Sequence, residues 1–381
     1  MKTKAAICWK PMSDWSVEEI ELDGPKPGEV LVRNVASGLC HSDEHLRRGD
    51  IRLPEAAEKE YGITQYPLIG GHEGAGEVLE VGAGVTTVKP GDHVVMSFIP
   101  ACGRCPSCAA GRQQLCDMGA FILAGRQIAD QTARHHALDG TDIGVMSAIG
   151  TFCPYSLANE ASLIKILPDI PLDKAALVGC GVPTGWGSAV YAADVQPGET
   201  VVVVGLGGVG ANAVQGAAMA GAQYVIAIDP LVWKHEAIEV FGATHTASSM
   251  EEATELVGQL TWGMMADKVI LTVGEAHGEL IQPMMDLVKK GGRGVVTAAG
   301  NMFRTDTTLN LCELTMSRKE LVGTCYGNCN PRYDVPRLLR LYMEGQLKLD
   351  ELITKTYTLD DINQGYEDLR NGRNLRGMLM Y

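Results

Sequence analysis

Short runs of β-branched and other apolar residues mark the first hundred positions, at 30–35, 76–81 and 93–97, each interrupted by Pro or Gly. Runs bounded in this way predict strands, so this stretch is expected to form a strand-rich, twisted-sheet body. Residues 101–150 are rich in Cys, Gly and Ala with little periodicity, which predicts an irregular lobe held by something other than an apolar core. After residue 180 the texture changes. Continuous apolar runs at 201–204, 224–228, 268–273 and 294–298 alternate with helical stretches, the pattern of βαβ units on a parallel sheet. The stretch 211–220 is nearly all small and apolar, as a helix packed tightly on a sheet must be. Beyond 324 the chain reads as a helix (335–344), a connecting piece (349–357), a second helix (359–371) and a final strand. This tail is expected to return to the first domain. The reading is an α/β chain in which 1–180 and 325–381 form a β-rich domain and 181–324 a doubly wound parallel sheet.

Length agrees with two domains, since 381 residues exceed one ordinary core at roughly 150 residues per domain. A formal charge of -14 without a local basic patch argues against nucleic acid and anionic lipid as partners. No stretch approaches 18 uninterrupted apolar residues and the N-terminus lacks a signal-type apolar segment, so no membrane contact and a cytoplasmic location are expected. Eleven cysteines in such a chain read first as metal ligands or core thiols rather than disulfides.

The run Val201-Val-Val-Val204 leads straight into Gly205-Leu-Gly207-Gly208-Val209-Gly210 and then the small-residue helix. Glycines in that strand-to-helix setting, with Asp229 ending the next strand, form the dinucleotide fingerprint. Gly205 permits the turn, Gly207 lets backbone approach a pyrophosphate, and Gly210 allows close helix contact, while the helix N-terminus with Gly208 and Val209 offers NH groups. Asp229 would accept ribose hydroxyls and repel a 2'-phosphate, favouring NAD over NADP.

Cys102, Cys105, Cys108 and Cys116 follow a C-x2-C-x2-C-x7-C spacing, in which three sulfurs wrap one ion and the fourth completes a tetrahedron. A closed four-thiolate site has no place for substrate, so its expected role is to staple the lobe around 101–117. The spacing also resembles the opening of an iron-sulfur run, but the last cysteine is too distant for that ending. A nucleic-acid finger would need a histidine pair and a basic face, both missing here.

Gly38-Leu-Cys40-His41-Ser42-Asp43-Glu44-His45, Gly70-Gly71-His72-Glu73-Gly74 and Val178-Gly179-Cys180-Gly181 each set a ligand-type residue among glycines. Two thiolates and one imidazole, from Cys40, Cys180 and His72, would hold zinc with a fourth position open to substrate. Singly, each residue reads as a buried thiol or a hydrogen-bonded imidazole; their company with the nucleotide fingerprint is what makes them a candidate site.

Taken together these motifs resemble the zinc-containing medium-chain dehydrogenase/reductase family, specifically its alcohol dehydrogenases. The likeness covers the whole chain, to the ending Leu369-Arg-Asn-Gly-Arg-Asn-Leu-Arg376. Met1-Lys-Thr-Lys-Ala-Ala, Ser97-Phe-Ile-Pro-Ala-Cys102, Thr184-Gly-Trp-Gly-Ser-Ala-Val-Tyr191 and Gln346-Leu-Lys-Leu-Asp350 are similar to the actinobacterial nicotinoprotein branch, which keeps NAD bound and is assayed with N,N-dimethyl-4-nitrosoaniline. The resemblance implies a GroES-like catalytic domain plus a Rossmann domain, two zinc ions per chain and NAD. By motif, Cys40, His72 and Cys180 would be catalytic zinc ligands with Glu73 as alternative or supporting ligand, and Asp43 would orient His72. Ser42 would take the substrate proton and His45 would relay it to solvent. His41 and Arg376 would meet the pyrophosphate, Lys234 the adenosine ribose and Thr184 the nicotinamide, while Phe98 would wall the pocket. A homodimer or homotetramer is implied as well. The charged segment 46–67 departs from the pattern by its length.

The expected chemistry interconverts an alcohol and its aldehyde by hydride transfer. Zinc shifts the pKa of bound water by roughly 9 units, about 12 kcal/mol, whereas a proton relay contributes about 3 to 5 kcal/mol, so the metal dominates. A thiol-adduct formaldehyde dehydrogenase would use the same groups. A non-catalytic NAD-binding redox sensor would instead use Cys8, Cys153, Cys312, Cys325 and Cys329, which are otherwise expected in the core.

Overall fold

The β-branched runs become strands where both neighbours and core are available to them. A computed structural model of the protein describes residues 1–120 and 122–381. These fall into two units, Met1–Cys180 with Asn330–Tyr381, and Gly181–Cys329.

In the first unit a closed barrel joins Lys2–Cys8, Ser16–Leu22, His135–Ala137, Asp142–Val145 and Leu68–Ile69. Ile7, Ile20, Ile69, Ile143 and Val145 belong to one buried core cluster. Two of these strands lie within the segment expected to be irregular: only its earlier part is a loop-rich lobe, and from His135 onward the chain pairs into the barrel. The second sheet runs Leu163–Lys165, His93–Met96, Gly74–Val81, Glu29–Gly38, Arg376–Met380, Ile353–Tyr357, with Tyr155–Asn159 also paired to Glu29–Gly38.

The register of this sheet positions the site. Gly74 lies opposite Ser37, and Gly38 N donates to Glu73 O at 2.9 Å. On the other side Met378 lies opposite Gly38, and Leu39 N donates to Gly377 O at 2.9 Å. Three chain segments distant in sequence therefore end side by side at Cys40, Glu73 and Arg376.

The first helix of the returning C-terminal segment, Pro331–Met343, starts earlier than 335. Asn330 Oδ1 caps it by accepting from Arg332 N at 3.1 Å, and Pro331 occupies the first turn, where its missing NH costs nothing. The next helix, Ile362–Arg370, is pinned to the N-terminal segment by paired Asn363–Trp15 hydrogen bonds of 2.9 and 3.0 Å. Tyr366 of this helix clusters with Trp15 and Phe152, with ring centroids 5.4 to 6.1 Å apart and the Phe152 contacts edge-on.

The second unit is a six-stranded, all-parallel sheet in the order His245–Ala247, Tyr224–Ile228, Thr200–Val204, Ala266–Leu271, Val288–Val296, Glu320–Gly323. The central strand is buried on both faces, which is why it reads as an unbroken valine run. Each such valine contributes roughly 1.5–3 kcal/mol relative to exposure. Helix Gly208–Met219 buries Ala211, Ala213, Val214 and Ala217. Among the described residues no helix is long and apolar enough to cross a membrane.

Candidate metal and nucleotide sites

Helix His41–Arg48 begins immediately after Cys40, so the strand end and the first helical turn together present Cys40, His41 and Ser42. Cys40, His72, Glu73 and Cys180 converge, each offering a ligand atom within 4.8 Å of the others, and all four are buried. Cys180 reaches the cluster from the turn after Ala176–Gly179; Gly179 must be glycine, because a Cβ there would sit 2.4 Å from Met96 O. Asp43 stands behind His72, its Oδ2 3.1 Å from Nδ1, and its Oδ1 accepts from Gly71 N at 2.7 Å. Phe98 meets the His72 ring edge-on at 5.7 Å.

The protonation pattern fits a cation. The Cys40 thiol is held well below its ordinary value, first by the hydrogen bond with Cys180 and then, against burial, by His72 and Arg376. The other member of that hydrogen bond, Cys180, is pushed well above it, with burial adding to the effect. Burial lowers the affinity of His72 for a proton, but Asp43 and Cys40 outweigh it and the ring is raised. Burial pushes Glu73 up to about 7 although Arg376 opposes this. A divalent cation at this cluster would favour the thiolate form of both cysteines. Among the described residues the buried His72 Nε2 meets no hydrogen-bond partner of proper geometry, which leaves it available to a metal. The donor set therefore fits zinc.

The second cluster gathers Cys102, Cys105, Cys108 and Cys116 within 4.8 Å. Cys102 Sγ to Cys108 Sγ and Cys105 Sγ to Cys116 Sγ are each 3.9 Å. A tetrahedron with metal–sulfur bonds of about 2.3 Å has edges of about 3.8 Å. Backbone NH groups of Cys105 and Cys108 point at Cys102 Sγ and Cys105 Sγ at 3.4 Å, which stabilises thiolate charge. Cys8, Cys153 and Cys329 are buried and Cys325 is partly buried. Cys312 departs from the core expectation: it lies exposed on the short helix Leu311–Met316.

In the second unit Gly205 takes φ 96°, and a Cβ on Gly210 would lie 1.9 Å from Gly205 O, so both positions require glycine. Gly207 is different. A Cβ there meets no described heavy atom within 4 Å, leaving open space above the loop, with Gly208 and Val209 opening the helix behind it. Asp229 accepts from Leu206 N and Lys234 Nζ, both at 2.9 Å, which draws the lysine to the carboxylate expected to meet ribose. Thr184 Oγ1 is buried and has no hydrogen-bond partner among the described residues. An open cradle at a helix N-terminus and an orphaned hydroxyl fit a dinucleotide.

Arg376 lies beside the first cluster, its guanidinium bonded to the Glu73 carboxylate, while its Nε has no partner among the described residues. His41 follows Cys40 directly, and burial lowers its proton affinity. Ser42 Oγ is 3.7 Å from Cys40 Sγ, and His45 lies one helical turn further on. The residue that sequence reasoning missed is Asp50, whose Oδ2 is 3.3 Å from His45 Nδ1. The signal available was the Gly49-Asp50 pair closing a helix that polar composition concealed.

Residues 26–169 match the family described as the alcohol dehydrogenase GroES-like domain, and residues 208–344 the zinc-binding dehydrogenase family. Over all 381 residues the chain is 48% identical to alcohol dehydrogenase B of Mycobacterium tuberculosis, covering 99% of it. It is 49% identical, again over its full length and 99% of the relative, to the NDMA-dependent alcohol dehydrogenase of Amycolatopsis methanolica. Identity to the S-(hydroxymethyl)glutathione dehydrogenase of Paracoccus denitrificans is 34%, with all of both chains covered. Among solved structures, an alcohol dehydrogenase zinc-binding domain protein from Burkholderia ambifaria superposes with a TM-score of 0.90 at 30% identity, covering 100% of this chain and 99% of that one.

Proposed function

The chain belongs to the zinc-containing medium-chain dehydrogenase/reductase family as an alcohol dehydrogenase, and from that premise we propose that Cys40, His72 and Cys180, with Glu73, hold one catalytic zinc while Cys102, Cys105, Cys108 and Cys116 hold a second, structural one. The enzyme is an oxidoreductase that interconverts an alcohol and its aldehyde. The observation that carries the assignment is the convergence of two sulfurs, an imidazole and a carboxylate within 4.8 Å in a buried position.

Zinc and the nicotinamide, when bound, supply Lewis acidity at the substrate hydroxyl and a hydride acceptor. The chain's own residues do the rest. Asp43 fixes the His72 ring and its tautomer, since an ionised carboxylate only accepts hydrogen bonds. Arg376 neutralises Glu73, so the cluster presents two thiolates rather than three full negative charges. Ser42 takes the substrate proton and His45 passes it on, a step of about a hundred- to ten-thousandfold. Gly205, Gly207, Gly208, Val209 and Gly210 cradle the pyrophosphate of NAD, with the Arg376 cation and the His41 ring as its side-chain contacts, Lys234 and Asp229 at the ribose and Thr184 at the nicotinamide.

Retention of NAD through turnover, a homodimer or homotetramer, and a cytoplasmic location complete the reading; the first is supported by similarity to an NDMA-dependent relative. The thiol-adduct alternative has weaker support, because the relative named for such an adduct stands at 34% identity. The test is metal and nicotinamide quantification on the purified enzyme, followed by a panel of alcohols with free NAD and with N,N-dimethyl-4-nitrosoaniline. Two zinc ions and one nicotinamide per chain, with turnover of plain alcohols, are expected. Turnover confined to S-hydroxymethyl thiol adducts would overturn the plain-alcohol reading.

A further inference from the structure

Helix His41–Arg48 ends at Gly49, which adopts φ 80° and donates its NH to Leu46 O and His45 O. That left-handed residue folds the chain back on the helix: Asp50 N donates to His45 O at 2.8 Å, and the Asp50 carboxylate comes round to the His45 ring. Asp50 Oδ2 is 3.3 Å from His45 Nδ1, with side chains only 4% and 10% exposed. The same oxygen lies 3.2 Å from Nε of the half-exposed Arg48. Arg48 thus steadies the carboxylate from the solvent side while His45 meets it from within.

We propose that Asp50 is the positioning residue of the proton relay, holding His45 in the tautomer that can accept a proton. The inference rests on the reading of His45 as relay. An ionised carboxylate accepts hydrogen bonds and cannot donate, so it fixes the ring hydrogen on Nδ1 and leaves a lone pair on Nε2. A proton arriving from the Ser42 side adds to Nε2 and the ring becomes imidazolium, stabilised by the adjacent carboxylate. The imidazolium then releases a proton to water, and Asp50 ends the cycle still ionised. A side-chain amide at position 50 can present its NH2 to Nδ1 and select the opposite tautomer; in serine proteases the equivalent amide exchange lowers kcat by about ten-thousandfold.

The test is a double-mutant cycle on the zinc-loaded enzyme with Asp50→Asn, His45→Ala and the pair together, plus Asp50→Glu. Asp50→Asn is expected to lower kcat for alcohol oxidation at least tenfold with KM within twofold, with two zinc ions retained and an unchanged thermal midpoint. Combined with His45→Ala it should add no further loss, and Asp50→Glu should recover part of the rate. An unchanged kcat in Asp50→Asn beside a slowed His45→Ala overturns the role of Asp50 alone. So does a loss of equal size in both backgrounds, or one accompanied by loss of zinc, since either makes the residue independent of the ring. An unchanged kcat in His45→Ala overturns the relay itself, and this proposal with it.

Discussion

Asp43 ties the first helix to His72 of the buried cluster: Oδ2 lies 3.1 Å from Nδ1, and the second carboxylate oxygen holds the neighbouring Gly71 amide at 2.7 Å. One side chain therefore orients both the imidazole ring and the backbone next to it. Groups that orient metal-bound histidines typically matter 10–100-fold in metal affinity. Asp43→Ala should weaken zinc retention at the catalytic position by about that factor, measured by competition with a chromogenic chelator. Retention equal to the wild type would mean that the ring is held by packing alone.

The two clusters should come apart under substitution. Cys40→Ala or His72→Ala should abolish turnover and reduce the zinc count from two to one per chain, with the thermal midpoint little changed. Cys105→Ser should also remove one zinc ion, but it should loosen the lobe around 101–117, because little apolar core supports that segment. Its signature is faster proteolytic cutting there, seen by mass spectrometry of the fragments. Cutting at the wild-type rate in zinc-depleted Cys105→Ser would contradict a stapling role.

How far the fold was legible follows from how local its causes are. The parallel sheet was readable because the valine run at 201–204 and the glycines that follow are contiguous, and the strand Tyr224–Ile228 matches its expected bounds. The four sulfurs of the lobe lie within fifteen positions of one another, so spacing alone suggested their meeting. By contrast, the barrel strands His135–Ala137 and Asp142–Val145 are three and four residues long, too short for alternation to register. Helix Glu55–Tyr61 has no buried residue and hence no periodicity to read. The contact of Arg376 with Glu73 spans 303 positions and exists only through sheet register. Pairings of that kind are written in the strand order rather than in any window of sequence.

Two glycines of the nucleotide loop should respond oppositely to the same substitution. Gly207→Ala places its methyl group in open space at φ −87°, a value alanine tolerates, so the fold should persist while the methyl group intrudes where a pyrophosphate would lie. Gly210→Ala instead drives a methyl group to 1.9 Å from Gly205 O and must push the helix off the sheet. The expected result is a folded Gly207→Ala enzyme with NAD affinity down at least tenfold, and a Gly210→Ala protein whose thermal midpoint falls by several degrees. Calorimetry with titrated nucleotide separates the two, and full NAD affinity in Gly207→Ala would remove the loop from the binding site.

His135 is fully buried in the barrel, neither ring nitrogen has a hydrogen-bond partner among the described residues, and burial, with His136 adding to it, pushes its pKa down to about 3. An unfolded histidine titrates near 6.5, so between about pH 6.5 and about pH 3 the unfolded chain binds the extra proton. Stability therefore rises with pH across that window, by up to about 1.4 kcal/mol per unit from this residue, and is lost as the solution is acidified. His135→Leu removes the term without orphaning a partner, since the ring makes no hydrogen bond, and leucine suits a position between Leu22 and Ile143 on the paired strands. The variant and the wild type should unfold at similar urea concentrations at pH 7.5, and the variant should be the more stable by about 2 kcal/mol at pH 5. A gap that stays constant between those two pH values would show that the ring is protonated in the folded barrel, and that some group neutralises it there.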